Sequence, residues 1–439
     1  MMKEKVIRSN VAVVGGGLAG LTAANFLARA GFNVTLFEKS SATGGRARTD
    51  VERGFHFNLG PHALYAGGAA IGILRELGVM FQGRPPATSG GFAIDRGAKH
   101  TLPVGPISLL TSGLFGLGAK LEAARWLGGI GKFDARCVER LSLREWAERE
   151  IRRDAARRLF HSIIRVSTYA DDPERQSAGA AIAQLQLALG SGVLYLDGGW
   201  QTLARGLRDA AEKEGVKIIT GERVKAVERD ERVRGVRLAD GAFYAAQSVV
   251  IAAGPSEACE LIEGSEGTVL SKWAKAAIPV RAACLNVALE YLPEPRALFA
   301  LGVDRPLYFS VHSAAAKLAP EKGVVIHAAK YLGAGPDGVT QAVERELEET
   351  LDIMQPGWRG AVVARRFLPT MTVSNALVTA AQGGLKGRPR PDVPGVEGLY
   401  VAGDWVGPEG MLADASMASA KLAAETIARR RGAAMAAVA

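Results

Sequence analysis

Residues 11–38 read VAVVGGGLAGLTAANFLARAGFNVTLFE. An apolar run, a glycine turn, a stretch of small and apolar residues at helical spacing and a second apolar run make a strand, a helix and a strand. Gly15, Gly17 and Gly20 sit where the first strand gives way to the helix. A GxGxxG triplet alone says little; placed after a strand and opening a helix, it describes a cradle for the pyrophosphate of a dinucleotide. Gly15 permits the tight turn, Gly17 lets backbone approach the phosphates, and Gly20 lets the helix pack closely. The helix N-terminus, with Leu18 and Ala19 in its first turn, supplies free N–H donors and the positive end of its dipole. Glu38 closes the second strand, where a carboxylate can accept hydrogen bonds from a ribose, and Lys39 follows it.

The fingerprint occurs once. Gly198-Gly199-Trp200 lacks the strand and helix context of a second unit, which disfavours a reductase with its own nicotinamide domain. The three cysteines, Cys137, Cys259 and Cys284, have no paired spacing, which excludes a redox dithiol, a disulfide framework and a zinc site and points to a reducing, cytoplasmic compartment. The first residues, MMKEKVIRSN, lead straight into the nucleotide-binding strand, so we expect no signal peptide.

Composition bounds the rest. Of 439 residues, 48% are hydrophobic and 23% charged, and 53 are glycine, an excess that implies many tight turns. The net charge of +9 comes from arginines without interleaved aromatics, so no nucleic-acid partner is expected. An anionic membrane surface stays open as a peripheral site. Two uncharged runs, 101–119 and 177–196, approach the length of a membrane span, but glycines, prolines and polar residues interrupt them; we expect buried walls of an apolar cavity.

Further along, 215–254 reads as a β-meander with a turn at Ala239-Asp240-Gly241. It ends in an apolar strand, SVVIAAG, that reaches Gly254 and can rejoin the first sheet. Near the C-terminus, GLYVAGDWVGPEGMLADASMASAKLAAETI gives a short strand, a glycine turn and a small-residue helix. The fold class expected is α/β: a Rossmann-type dinucleotide-binding domain assembled from discontinuous segments (1–65, 197–260 and 392–439) plus an α+β substrate domain (66–196 and 261–391). The first substrate segment reads as mostly helical. The second holds strand candidates AACLNVALEYL and GVVIHAAKYL and a helix around GVTQAVERELEETLDIM. The tail after Arg431 is expected to fray.

The N-terminal segment, the central YLDGGWQTLARGL and the C-terminal segment together resemble the phytoene-desaturase-like flavoproteins. That group also includes monoamine oxidases, protoporphyrinogen oxidases and Rab GDP-dissociation inhibitors. The likeness is dense over the nucleotide-binding pieces and thin elsewhere. It implies a noncovalent FAD, since no cysteine lies near the C-terminal motif. It also implies that Gly44, Gly45 and Arg46 hold the pyrophosphate side, that Val224 meets the adenine through its backbone, and that Gly403 and Asp404 contact the ribityl-phosphate region. Met411 and Leu412 are expected near the isoalloxazine, with Gly60 and Pro61 shaping backbone against the ring and His62 and Tyr65 facing the substrate. His62 is the one catalytic candidate, with a shaping role favoured over proton transfer.

What the resemblance implies for activity is an oxidoreductase that dehydrogenates or isomerises an apolar substrate of isoprenoid or carotenoid type, by hydride transfer to flavin. An oxidase of an amine or porphyrinogen-like substrate is the alternative. The strand RAACLNVALEYL lacks the lysine of amine oxidases, although Lys330 is within reach of consideration. An alternative of another class is a prenyl-binding escort protein of the GDP-dissociation-inhibitor type. Asp171-Asp172 reads as a turn and cap, and His56, His100, His161, His312 and His327 as isolated, without metal-ligand spacing. The electron acceptor and the oligomeric state have no sequence signal.

Overall fold

The computed structural model describes residues 7–87, 91–103, 105–333 and 340–438. The stretch that opened the reading folds as the strand Ile7–Val14, the helix Leu18–Arg29 and the strand Val34–Glu38. Ile7–Val14 lies between Val34–Glu38 and Phe243–Ile251, parallel to both, with Val13 opposite Leu36 on one side and Val250 on the other. Covered on both faces, such strands read as continuous apolar runs rather than alternating ones.

Phe243–Ile251 is the branch point of this sheet. Its first half pairs antiparallel with Val233–Leu238, and its second half pairs parallel with Leu399–Val401, near the far end of the chain. The SVVIAAG strand thus rejoins the sheet as expected. Lys217–Thr220, read as the first arm of the meander, instead runs parallel to Val34–Glu38 at the outer edge. The helix Gln201–Lys213 precedes it, so the chain enters through a crossover and not a hairpin. The closing helix Leu412–Val438 packs on Leu18–Arg29; Ala23 and Ala24 on one and Ala420 and Ala424 on the other let the two approach closely. That helix continues to Val438.

A second sheet runs in the order Val362–Ser374, Val280–Leu289, Val324–Leu332, Leu307–Val311, Phe299–Gly302, Gly91–Asp95 and Ala98–Thr101. The last two strands come from the segment read as mostly helical. On Val324–Leu332, Ala329 and Tyr331 face one apolar cluster, while Ile326 and Ala328 face another, with the helix Thr340–Met354. Period-two alternation therefore fixes which side of the sheet each residue serves.

The two uncharged runs are not the cavity walls expected of them. The helix Ala178–Ser191 is buried over its first half, but none of its described residues reaches the main cavity. The run 101–119 holds the helix Pro106–Thr111 and the start of Leu117–Ile130, and it leaves Ile107, Leu110 and Leu117 exposed. Among the described residues, no helix is long and apolar enough to cross a membrane.

Candidate functional site

The two sheets share one large cavity of about 750 Å³. Its nucleotide end begins at the first glycine turn. Gly15 has φ +107°, and a Cβ there would come within 2.6 Å of the Ala252 carbonyl oxygen. At Gly20 a Cβ would lie 1.8 Å from the Gly15 oxygen, so only glycine lets the helix seat on the turn. Gly17 is different: nothing lies within 4 Å of where its Cβ would be. It opens onto the cavity at the head of Leu18–Arg29, a helix with no side-chain cap on its first N–H groups.

Glu38 is buried and its carboxylate is oriented by backbone, accepting from Gly16 N–H at 2.6 Å and Ser40 N–H at 2.8 Å. Val224 and Gly254 line the same end, together with Glu222, Arg223, Lys225 and Glu257. An open glycine cradle on a helix N-terminus, with a carboxylate held beside it, fits the pyrophosphate and ribose of a dinucleotide.

Gly44 and Gly45, at φ +135° and +55°, turn the chain so that Gly44 N–H reaches the Gly16 oxygen at 2.8 Å. Arg46 then projects across the cavity floor. Its guanidinium donates to Asp404 Oδ2 at 2.8 Å and to the Val373 carbonyl at 2.7 Å. Asn375 donates twice to the same carboxylate, from its backbone N–H at 3.1 Å and its side chain at 2.8 Å. Burial alone would push the Asp404 carboxyl up, but the Arg46 guanidinium and the Asn375 hydrogen bonds together hold it below the usual carboxylate range. Arg388 ties down the following loop by donating to the carbonyls of Asp404 at 2.9 Å and Gly410 at 2.7 Å, and burial lowers its guanidinium to about 10.

The other end is walled by the second sheet. Ala282 and Cys284 share one face of Val280–Leu289, and Met371 pairs opposite Ala282. Pro61, Ala63, Tyr169 and Leu412 complete this end. Burial pushes the Cys284 thiol up to about 12, so it stays protonated against Met371 Sδ at 3.4 Å. Two of the lining residues are in backbone conformations that side chains disfavour, Tyr169 at φ 59° and Leu412 at φ 55°.

His62 lines the cavity and packs against Trp200. Its Nδ1 is 3.0 Å from the Gly60 carbonyl and its Nε2 is 3.1 Å from the Arg46 carbonyl. Both ring nitrogens are thereby directed at carbonyl acceptors, and the neutral ring, with one N–H, donates to one of them while packing between the Arg46 and Gly60 turns. Burial lowers its pKa, against the pull of the two carbonyls.

Sixteen of the residues singled out in the sequence meet at this cavity: Gly15, Gly17, Leu18, Ala19, Glu38, Lys39, Gly44, Gly45, Arg46, Pro61, His62, Val224, Gly254, Gly403, Asp404 and Leu412. Gly20, Gly60 and Met411 do not line it. Gly20 seats the helix, and Gly60 leaves room for Met371 and Cys284, whose sulfurs would lie 2.8 and 2.9 Å from a Cβ there. Met411 packs with Ala180 and Val378. Tyr65 faces away as well, its hydroxyl donating to the Ser167 carbonyl at 2.6 Å. Lys330 pairs with Glu346 on the helix side of the second sheet, away from the cavity. Asp171 and Asp172 are taken by Arg165 and Arg175. His312 and His327 pack edge to face in a buried network with Tyr195, Tyr308 and Asn286.

Asn375 and Arg388 had no signal in the sequence, because their role exists only once residues from three segments converge on Asp404.

This geometry defines a dinucleotide-binding oxidoreductase fold with an apolar chamber beside the nucleotide. The family model for flavin containing amine oxidoreductases matches residues 18–428, and the chain belongs to that family. It is a flavoprotein, and the single dinucleotide cradle identifies the flavin as FAD.

Among its relatives, protoporphyrinogen oxidase 2 of Arabidopsis thaliana is 29% identical over 180 residues, covering 40% of this chain and 35% of that protein. The 4,4'-diaponeurosporene oxygenase of Staphylococcus haemolyticus is 24% identical over 293 residues, 57% of this chain and 55% of that one. The matches therefore span about half or less of those curated relatives. A redesigned putrescine oxidase is similar in fold, with a TM-score of 0.76 over 97% of this chain and 100% of that chain at 16% identity.

Proposed function

We propose that the chain is an FAD-dependent dehydrogenase of an apolar, isoprenoid- or carotenoid-like substrate. The observation that carries this reading is the wall formed by Pro61, Ala63, Tyr169, Ala282, Cys284, Met371 and Leu412, which holds neither a carboxylate nor an ammonium. A protonated amine entering there would meet no counter-charge, whereas a hydrocarbon chain loses little by leaving water. Asp404, a carboxylate that lines the cavity, is already neutralised by Arg46. Lys330, the lysine that an amine oxidase reading would need, points away.

FAD would be held noncovalently. Gly17 and the helix N-terminus would take the pyrophosphate, Glu38 the ribose, the backbone at Val224 the adenine, and Arg46 with Asp404 the phosphate and ribityl region. Bound FAD supplies the hydride acceptor. The chain's own share is to align the substrate C–H bond between Tyr169, Met371 and Leu412, to exclude water, and to hold Cys284 protonated and inert. We carry the two-domain division as part of this proposal: 1–65, 197–260 and 392–439 for FAD, and 66–196 and 261–391 for substrate. The open Gly17 cradle and the oriented Glu38 support the enzyme over a prenyl-binding escort protein, which has no need of either.

The test is anaerobic bleaching of the flavin absorbance in the purified holoprotein. Polyene precursors are expected to bleach it and short amines to leave it oxidised. Bleaching by amines alone would overturn the substrate reading, and a colourless protein that FAD cannot reconstitute would overturn the enzyme.

A further inference from the structure

The helices Pro106–Thr111 and Leu117–Ile130 pack on the molecule by one side only. Leu109, Ala123, Trp126 and Ile130 enter the apolar cluster that also contains Tyr169 and Cys284 of the cavity wall. The opposite side is apolar too, and bare. Ile107 is 78% exposed, Leu110 72%, Leu117 69% and Leu121 63%, half of the large apolar side chains that the described surface exposes. At about 100° per residue, Leu117, Leu121, Ala124 and Gly128 fall along one line of the second helix, with Lys120 on one flank and Arg125 on the other.

The side-chain charges that these two helices expose on this ridge, Lys120 and Arg125, have one sign; Arg153 beside them is flanked in its own segment by the exposed Glu150 and Asp154, the latter paired with Arg158. Lys120 Nζ reaches across to the Leu110 carbonyl at 2.8 Å, bridging the two helices. The Arg153 guanidinium lies against Gly118, where a Cβ would come within 2.6 Å of its Cζ. From Thr101 to Phe133 the only carboxylate is Glu122, which accepts the backbone N–H groups of Arg152 and Arg153 at 2.7 and 2.8 Å. The two helices thus offer leucines between cations, with their one acid engaged by backbone. A protein partner would need hydrogen-bonding groups opposite a polar rim, and this ridge has few to give. Lipid asks for the reverse: apolar side chains for the acyl boundary and long cationic ones for the phosphates.

We propose that this face docks the protein on an anionic lipid bilayer, with Ile107, Leu110, Leu117 and Leu121 entering the acyl boundary and Lys120, Arg125 and Arg153 meeting the headgroup phosphates. Docking there sets the bilayer against the same apolar cluster that backs the cavity. The binding itself does not depend on which substrate is oxidised.

The holoprotein is to be sedimented with vesicles of phosphatidylcholine alone and of phosphatidylcholine mixed equally with phosphatidylglycerol. Binding to the mixed vesicles is expected. Leu117→Ser with Leu121→Ser should weaken it about ten-fold or more. Lys120→Gln with Arg125→Gln should weaken it by about ten-fold, as should salt near about 0.5 M. Flavin content is expected to stay at the wild-type value in both variants, and melting temperature in the serine variant, whose replaced side chains are exposed; the glutamine variant loses the Lys120 bridge to Leu110 and is compared with Arg125→Gln alone. Failure of the wild type to bind, or binding that neither variant weakens, overturns the proposal. So does a dimer that the serine variant splits without any vesicle binding, since the face would then be an interface between copies. Loss of docking with flavin bleaching intact leaves the substrate reading standing.

Discussion

At the scale of single residues, the glycine turn separates what the fold needs from what the cofactor needs. Gly20→Ala puts a methyl group into the Gly15 carbonyl and should cost at least about 2 kcal/mol of stability, read by urea unfolding. Gly17→Ala meets empty space at a φ of −78° that any residue accepts. It should leave the apoprotein's melting unchanged and weaken FAD binding by about ten-fold or more, read by fluorescence titration, since the methyl occupies the path of the phosphates. Arg46→Met strands the buried Asp404 carboxyl. The native pair stabilises above the usual carboxylate range and is lost as pH falls through the lowered Asp404 value. Without it, burial wins, and the loss extends to neutral pH at about 1–3 kcal/mol, given a half-exposed guanidinium. His62→Gln should keep FAD bound. If turnover also stays within about three-fold and the pH profile of kcat/KM keeps its shape, the histidine is a clamp; a lost acid limb would make it a base. The glycine triplet and Glu38 were legible because their chemistry is local to one strand and one helix. His62 was legible as a wall residue but not as a clamp, since its two carbonyl partners come from separate turns.

At the scale of elements, Asp414 joins the closing helix to the helix Ala69–Glu76. Its Oδ1 accepts the Ala70 N–H at 2.8 Å, and Gly68 leaves it room: a Cβ there would come within 2.3 Å of both carboxyl oxygens. Burial raises this carboxyl to about 6. The folded state therefore holds a proton that the unfolded chain has already released between about pH 4 and 6, and the contribution to stability falls as pH rises through that window. Asp414→Asn keeps the acceptor and removes the titration. It should gain about 1–2 kcal/mol at pH 7.5 relative to wild type and about half of that at pH 5, measured by urea melts at the two pH values. The pairing of the second sheet was less legible. Lys330 was a candidate because a strand's residue list does not say which face each residue serves until the register is known. The exposed leucines were hidden for a related reason. Ala119, Ala123, Trp126 and Ile130 face inward and Leu117 and Leu121 outward, so both sides of the helix are apolar and the pattern carries no amphipathic contrast.

At the scale of the whole molecule, the candidate flavin site draws on segments far apart in the chain. Arg46 and Asp404 are 358 residues apart in sequence, and Val373 and Asn375 come from the strand and turn between. FAD at about a hundred times its dissociation constant should add about 2.7 kcal/mol, so stripping it should lower the melting temperature and sharpen proteolysis near the site. The α/β class and the discontinuous nucleotide-binding segments were legible because each piece has its own strand and turn signals. The convergence on Asp404 was not, since no local pattern records a contact made across hundreds of residues. The same arrangement sets a clock for biosynthesis. Chains grow from the N-terminus, and the first glycine turn leaves the ribosome long before the residue that neutralises Arg46 has been made. Nascent chains stalled before Asp404 should emerge without flavin fluorescence quenching, and those stalled well beyond Leu412 should acquire it, so that loading the cofactor would wait for the Asp404 segment.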